Sequence, residues 1–243
     1  VERSRGLGDV YKRQLLIFLF FVALPVWSAA ETECGTLEKC DSFESNVHDR
    51  NSLQRGLGLY KNYCSSCHTL RYLRWNRLER DLDIPENILV EDLINNPQVK
   101  TSDFITFGLP EVSAIGAPDL TLRTRVRGEE WIYTYLRTFY EDSEQITGSN
   151  NLVYPGTAML HVLGGLQGRQ VLDQNGNLEK VGDGTMTTEE YDAAIGDLVT
   201  FLAYASEPAR ITREKNGIFV ILFFIAFTAV MWLLNREYTK DIK

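Results

Sequence analysis

The chain has 243 residues, of which 44% are hydrophobic, and it carries a formal net charge of −8. This length is sufficient for one domain with a proper core. The acidic balance argues against a nucleic-acid-binding protein, because phosphate backbones are bound by clustered Lys and Arg. Much of the apolar content lies in two runs near the ends of the chain.

The first apolar run, Leu15–Trp27, has the pattern of a secretory signal peptide. Two basic residues precede it, and small residues follow it at positions 28–30. The alternative is a membrane anchor, but this run contains a proline and is short for a bilayer span. We therefore expect cleavage after Ala30. Residues 1–14 resemble foreign sequence, so residues 1–30 are interpreted as doubtful N-terminal residues plus a signal peptide.

Residues 31–50 form a polar segment that contains two of the four cysteines, Cys34 and Cys40. An exported protein meets an oxidising compartment, where disulfides form and persist. We therefore expect the stretch CGTLEKC to close a short disulfide loop. A lipidated cysteine and two free thiols are the alternatives, and the pattern indicates no chemistry for this segment.

The stretch YCSSCH, residues 63–68, carries the most specific motif. A CxxCH motif is typical of covalent c-type haem attachment. Helical spacing upstream, with Asn51 as the expected N-cap, places Cys64 and Cys67 on one helix face and brings the His68 ring to the iron from the same side. A zinc site would need a second suitable pair, and a thioredoxin-like site would need a preceding strand. A core helix with incidental Cys and His is the remaining alternative.

The residue on the other side of the iron is sought among the methionines. An electron-transfer haem takes two axial ligands, and methionine opposite histidine raises its potential. Met231 lies in the C-terminal apolar run, and Met186 directly precedes a predicted helix start. Met159 follows a Pro-Gly turn that can hold a loop against a flat cofactor, so it is the preferred ligand. His161 is a further alternative, and it would lower the potential.

Three arginines alternate just before a helix that is predicted from the apolar spacing of residues 131–139. They are Arg123, Arg125 and Arg127. A buried haem has two propionates that need cationic partners. One of these arginines is therefore a candidate propionate partner, and a solvated surface is the alternative.

The C-terminal apolar run, residues 217–234, has no charged residue. A helix over these 18 residues would be about 27 Å long and could span a bilayer. Just upstream, Thr187 and Glu190 predict a capping box at the start of the last soluble helix. We expect a haem domain over residues 51–209 and a membrane anchor with a short cytoplasmic tail over residues 210–243. The haem domain would then lie on the periplasmic side of the inner (plasma) membrane.

From about Ser52 to Lys243 the chain resembles cytochrome c1, the haem subunit of bacterial quinol–cytochrome c reductase, the cytochrome bc1 complex. The resemblance is carried by five stretches in a fixed order before one C-terminal anchor, namely SLQRGLGLYKNYCSSCHTLRYLRW, APDLT, RVRGEEWIYTYL, YPGTAM and DLVTFLAYASEPAR. It implies a mainly α fold, a cytochrome c-like exported haem domain with one C-terminal transmembrane helix. It also implies that the helix before the haem crosses the last soluble helix, with Gly56 and Tyr60 at the crossing and Phe201 as their partner.

The resemblance further implies one haem c and its contacts. The implied attachment points are Cys64 and Cys67, the implied iron ligands His68 and Met159, the implied propionate partner Arg127, and the implied near neighbour Pro118. The implied activity is electron transfer from a Rieske-type iron–sulfur subunit to a soluble or anchored cytochrome c, in a complex with cytochrome b. On its own such a chain would not be an enzyme.

Three alternatives remain open for the function. A membrane-anchored cytochrome c that donates electrons to a terminal oxidase would share the haem site. A haem peroxidase would need an open axial position on the iron. A thiol-redox protein would keep Cys64 and Cys67 as titratable thiols and hold no haem.

Overall fold

The computed structural model describes residues 14, 33–106 and 116–240. The described chain is mainly helical, as predicted, and its eight α-helices are α1 Arg50–Leu59, α2 Trp75–Leu82, α3 Glu86–Ile88, α4 Arg123–Arg127, α5 Glu129–Arg137, α6 Gly164–Gln167, α7 Thr188–Ser206 and α8 Arg210–Tyr238. Wider helical turns extend α1 over Tyr60–Cys64 and α3 over Leu89–Ile94. The predicted signal peptide lies outside the described residues.

The strands of the described residues form three separate antiparallel pairs. They are β1 Leu70–Arg74 with β2 Phe104–Ile105, β3 Phe139–Glu141 with β4 Ser149–Asn151, and β5 Gly168–Leu172 with β6 Leu178–Asp183. Two-stranded ribbons of this size do not hold a domain together. The core therefore lies between helices, and the ribbons shape the loops between them.

The crossing of α1 and α7 forms the centre of the core. A Cβ added at Gly56 would lie 2.1 Å from the carbonyl oxygen of Asp197 and 2.7 Å from Cβ of Phe201, so only glycine allows the two backbones to approach this closely. One turn further along, the rings of Tyr60 and Phe201 pack with their centroids 5.8 Å apart. The predicted contact of Gly56 and Tyr60 with Phe201 is confirmed.

The start and the end of the haem-motif helix differ from the sequence-based expectation. The N-cap is Asp49 rather than Asn51, because the Asp49 carboxylate accepts hydrogen bonds from the backbone N–H groups of Asn51 and Ser52. Beyond Cys64 the helix gives way to a turn, in which the N–H groups of Cys67 and His68 both donate to the Cys64 carbonyl, at 3.1 and 2.8 Å. The motif therefore occupies a helix terminus and a turn rather than a continuous helix face.

Residues 33–49 form a strap, here called the N-terminal strap, across the domain. Its disulfide pairs Cys34 with Cys40, as predicted. Its backbone and side chains contact four distant residues, three of them in α5, through Thr36 to Leu152, Asp41 to Thr134, Phe43 to Tyr133, and Ser45 to Glu129. The polar groups of the strap thus form hydrogen bonds with polar groups that lie far away along the chain.

Removing the disulfide should loosen the strap. The double variant Cys34→Ser/Cys40→Ser is expected to lower the free energy of unfolding by about 2 kcal/mol, because a short covalent loop restricts the unfolded chain. Thermal unfolding of the full-length oxidised protein measures this effect. A thiol reductant should shift the wild-type midpoint in the same direction and leave the double variant unchanged, whereas equal midpoints for the two oxidised proteins would contradict the role of the disulfide.

Helix α8 is the one helix among the described residues that is long and apolar enough to cross a membrane, with a mean hydropathy of 2.7 over its most apolar window. Its first turn is joined to the rest of the chain by ion pairs. His48 Nε2 lies 2.8 Å from Glu214, and the Arg210 guanidinium lies 3.5 Å from Glu129. The membrane anchor therefore begins directly at the domain, without a flexible linker.

Candidate haem site

The imidazole of His68 is held in a defined orientation. The ring is buried, with 8% of the residue exposed, and its Nδ1 lies 2.7 Å from the Pro118 carbonyl oxygen. A carbonyl can only accept, so Nδ1 carries the proton and Nε2 keeps its lone pair. Burial lowers the pKa of His68, and the nearby charge of Arg123 lowers it further. The neutral ring with a free Nε2 is the form that binds a metal.

A second hydrogen bond fixes the backbone of the same histidine. The hydroxyl of Tyr60 donates to the His68 carbonyl at 2.7 Å, and Tyr60 itself is 1% exposed. Tyr60 also packs on Phe201. One side chain therefore contacts both the α1–α7 crossing and the backbone of His68. The helix packing thus positions one candidate iron ligand.

The two cysteines of the motif differ in burial. Cys64 is 7% exposed and Cys67 is half-buried, and neither forms a disulfide. Burial, with a smaller effect of Cys67, raises the pKa of the free Cys64 thiol to about 12. Because thiol–disulfide exchange requires a thiolate, a thiol of this pKa is poorly suited to it. The environment of Cys64 therefore argues against a redox-active thiol.

Met159 lies beside a hydrogen-bonded pair of hydroxyl groups. The Tyr135 hydroxyl donates to Met159 Sδ at 3.5 Å and lies 2.9 Å from Thr157 Oγ1. Since a phenol has one proton to donate, the Thr157 hydroxyl donates in turn to the Tyr135 oxygen. Thr157 is buried and Met159 is half-buried. The thioether is thus presented by an ordered loop.

The two rivals of Met159 have other structural roles. Met186 directly precedes the capping box of Thr187 and Glu190, which is confirmed, and its N–H donates to Leu166. His161 stacks on Phe139 with the ring centroids 4.9 Å apart, and burial lowers its pKa. Met186 is thus part of a helix start and His161 part of an aromatic stack.

Two asparagines that the sequence analysis did not single out hold the loop before Met159. Asn151 Oδ1 accepts hydrogen bonds from the N–H groups of Val153 and Tyr154, at 2.9 and 3.1 Å. Asn150 Oδ1 accepts from the N–H of Gly156 at 2.8 Å. The available signal was the pair of asparagines just ahead of a Pro-Gly turn, since Asn side chains commonly bond nearby backbone groups in turns.

The predicted propionate partner, Arg127, ends helix α4. Its guanidinium lies over the Trp131 ring, 5.1 Å from the centroid. Arg123, at the start of the same helix, is close enough to His68 to lower its pKa. Helix α4 thus places two cations on the side of the domain that carries His68 and Trp131, and both remain candidates for the partner of a propionate.

The donor set matches the requirements of a c-type haem. The motif offers two cysteines beside an oriented neutral imidazole, and a separate ordered loop offers a thioether sulfur. Imidazole and thioether are the two axial ligands of electron-transfer cytochromes c. No group of three or more His, Cys, Asp or Glu residues within 33–106 and 116–240 could hold a bare metal ion.

Comparison with known proteins is consistent with this site. A family model described as the cytochrome C1 family matches residues 42–103 and 111–242. Cytochrome c1 of Allochromatium vinosum is 37% identical over 246 residues, which cover 95% of this chain and 99% of the relative. The ammonia monooxygenase gamma subunit of Nitrosomonas europaea is 41% identical over 214 residues, 86% of this chain and 91% of the relative.

Among solved structures, a chain of a hyperthermophilic respiratory Complex III is similar at a TM-score of 0.41 and 16% identity, covering 97% of this chain and 98% of that chain. The family model spans well over half of the present sequence, and it includes YCSSCH, APDLT and YPGTAM. The chain belongs to the cytochrome c1 family.

Proposed function

We propose that the chain is a membrane-anchored c-type cytochrome that passes electrons from a Rieske-type iron–sulfur subunit to a soluble or anchored cytochrome c. It would do so beside cytochrome b in a quinol–cytochrome c reductase complex. Membership of the cytochrome c1 family supports this function. The observation that carries it is the 2.7 Å hydrogen bond between His68 Nδ1 and Pro118, which leaves Nε2 free for iron.

Each predicted site residue has a role in this proposal. Cys64 and Cys67 would hold one haem c through two thioether bonds, and His68 Nε2 and Met159 Sδ would bind its iron. When bound, the haem supplies a reversible one-electron Fe(III)/Fe(II) couple. Pro118 orients His68, and Arg127 would bind a propionate by a charge-assisted hydrogen bond.

Two protein ligands on the iron favour electron transfer over bond-making chemistry. A peroxidase or an oxygenase needs an open axial position for its substrate, and Met159 would fill that position. One relative is named as a monooxygenase subunit. Because Met159 would leave no open position for a substrate, electron transfer is favoured for this chain all the same. The alternative that shares the site is donation of electrons to a terminal oxidase.

Orientation in the membrane is part of the proposal. Helix α8 provides the membrane anchor. The predicted signal peptide would export the domain that follows it, so the haem domain would lie on the periplasmic side and the C-terminal end in the cytoplasm. Cleavage after Ala30 would release the exported domain from its targeting segment.

Purification of the tagged full-length chain from its native membrane tests the proposed complex. We expect cytochrome b and an iron–sulfur protein to co-purify with the chain, and the preparation to reduce added cytochrome c when quinol is supplied. Co-purification with a terminal oxidase, without cytochrome b, would favour the alternative donor role. A preparation without covalent haem would contradict the proposal.

The hydroxyl of Tyr135 is expected to tune the potential of this site. Its hydrogen bond to Met159 withdraws electron density from the sulfur and so favours Fe(II). Tyr135→Phe should therefore lower the midpoint potential, with a change of about two- to fivefold in the ferrous-to-ferric ratio at the wild-type midpoint. Tyr133→Phe, two residues away on the same helix, is the matched control. An equal shift in both variants would show that the hydrogen bond to sulfur has no specific effect.

A further inference from the structure

We propose that Asp119 is a positioning residue for His68, acting through the Pro118 carbonyl and through its own charge. The proposal rests on the proposed function, in which His68 is an iron ligand. Asp119 directly follows Pro118, and no chemistry was assigned to it from the sequence. It is a half-buried carboxylate, with 13% of its side chain exposed.

The carboxylate of Asp119 joins two segments that are distant in sequence. Oδ2 accepts hydrogen bonds from Thr69 Oγ1 at 2.6 Å and from the Arg71 N–H at 2.8 Å. Oδ1 accepts from the Thr121 N–H at 3.0 Å. One side chain thereby ties the start of β1 to the loop that carries Pro118.

A backbone hydrogen bond closes the same connection from the other side. The N–H of Leu120 donates to the carbonyl of Thr69 at 2.9 Å. Thr69 directly follows His68, just as Asp119 directly follows Pro118. Thr69 and Asp119 are hydrogen-bonded to each other, and each adjoins one partner of the His68–Pro118 hydrogen bond. Their bond therefore holds the two partners in place relative to each other. A partner that fixes the second ring nitrogen of a ligating histidine sets both the orientation and the basicity of the ring.

The charge of Asp119 acts in addition to its hydrogen bonds. Burial would raise its pKa, but the hydrogen bonds from Arg71, Thr69 and Thr121 outweigh burial and hold the pKa below its usual value, so the group is ionised at neutral pH. The Arg71 guanidinium, with 58% of its side chain exposed, lies 3.5 Å away and neutralises this charge only in part. Because the carboxylate accepts a hydrogen bond from Thr69, the residue directly after His68, its charge lies close to that histidine.

The two effects of Asp119 have the same sign. A negative charge near an iron ligand stabilises Fe(III), and a strong hydrogen bond from Nδ1 to Pro118 makes the imidazole a better donor to Fe(III). Asp119 therefore lowers the midpoint potential. Removing the carboxylate would remove both effects, and Fe(II) would become more stable relative to Fe(III).

The test compares the wild-type chain with Asp119→Asn, both full-length and matured with haem. At the wild-type midpoint, the ferrous-to-ferric ratio of the variant should rise about three- to tenfold. The pattern of hyperfine-shifted haem methyl resonances, which reports the orientation of the His68 ring, should also change. Asp173→Asn in the exposed β5–β6 turn is the control for loss of a surface carboxylate and should change neither quantity.

An unchanged ratio with an unchanged methyl pattern would overturn the inference, as would an equal shift in Asp173→Asn. If Asp119→Asn does not mature, Thr69→Val removes the 2.6 Å hydrogen bond and keeps the charge. That variant should change the methyl pattern, with a smaller rise in the ratio, and an unaltered pattern would again overturn the inference. A wild-type chain without covalent haem would instead refute the proposed function, and the inference with it.

Discussion

Replacing Met159 with leucine is expected to lower the midpoint potential by a few tenths of a volt, out of the roughly 0.8 V range that axial ligands span. The Met159 sulfur favours Fe(II), and leucine offers no ligand atom. The Tyr135 hydroxyl would then lose its sulfur acceptor, and water or an added ligand such as imidazole could bind the iron. Redox titration gives the potential, and loss of the methionine–iron(III) charge-transfer band identifies the lost ligand.

Met186→Leu is the matched control, since it makes the same change at the other methionine of the described soluble domain. We expect that variant to keep both the potential and the charge-transfer band, because Met186 belongs to the start of α7. If Met186→Leu lost the band and Met159→Leu kept it, the ligand assignment would be wrong. If the wild-type protein itself lacked the band, His161 would become the first residue to test.

Gly56→Ala is expected to destabilise the fold by about 3 kcal/mol, at the upper end for one added methyl group in a packed core. The added Cβ would lie 2.1 Å from the Asp197 carbonyl oxygen, so the backbones of α1 and α7 would have to separate. The separation would also disturb the Tyr60–Phe201 contact and the hydrogen bond from Tyr60 to His68. Thermal unfolding of the full-length protein, followed by circular dichroism, measures the loss.

Gly58→Ala provides a control on the same helix. A Cβ at Gly58 would have no atom within 4 Å. Replacing a helical glycine by alanine in open space should raise the stability by about 0.5–1 kcal/mol. A loss of stability in Gly56→Ala together with a gain in Gly58→Ala would show that the loss arises at the helix crossing. Equal stability of Gly56→Ala and the wild-type protein would contradict the close packing of α1 on α7.

Features that depend on neighbours in sequence were predictable. The capping box of Thr187 and Glu190 needs residues three apart, and the structure confirms it. The contact of Tyr60 with Phe201 is long-range, but the family resemblance supplied it. The mainly helical fold and the single apolar C-terminal helix were also predicted, because helical periodicity and a long uncharged run are strong signals.

Features that depend on competition or on distant partners were missed. Asp49 and Asn51 are both good N-caps, and composition does not say which side chain wins. The N-terminal strap looked like a polar segment without chemistry, since its partners lie 84 to 116 residues away in the chain. Asp119 was overlooked for the same reason, because its partners Thr69 and Arg71 lie 50 and 48 residues away.

Near-infrared magnetic circular dichroism of the purified full-length ferric protein tests the central claim most directly, because the energy of its charge-transfer band identifies the axial ligand pair. The account predicts one low-spin haem c with the signature of histidine–methionine ligation, from His68 and Met159. A bis-histidine signature, or a high-spin iron with an open position, would contradict it.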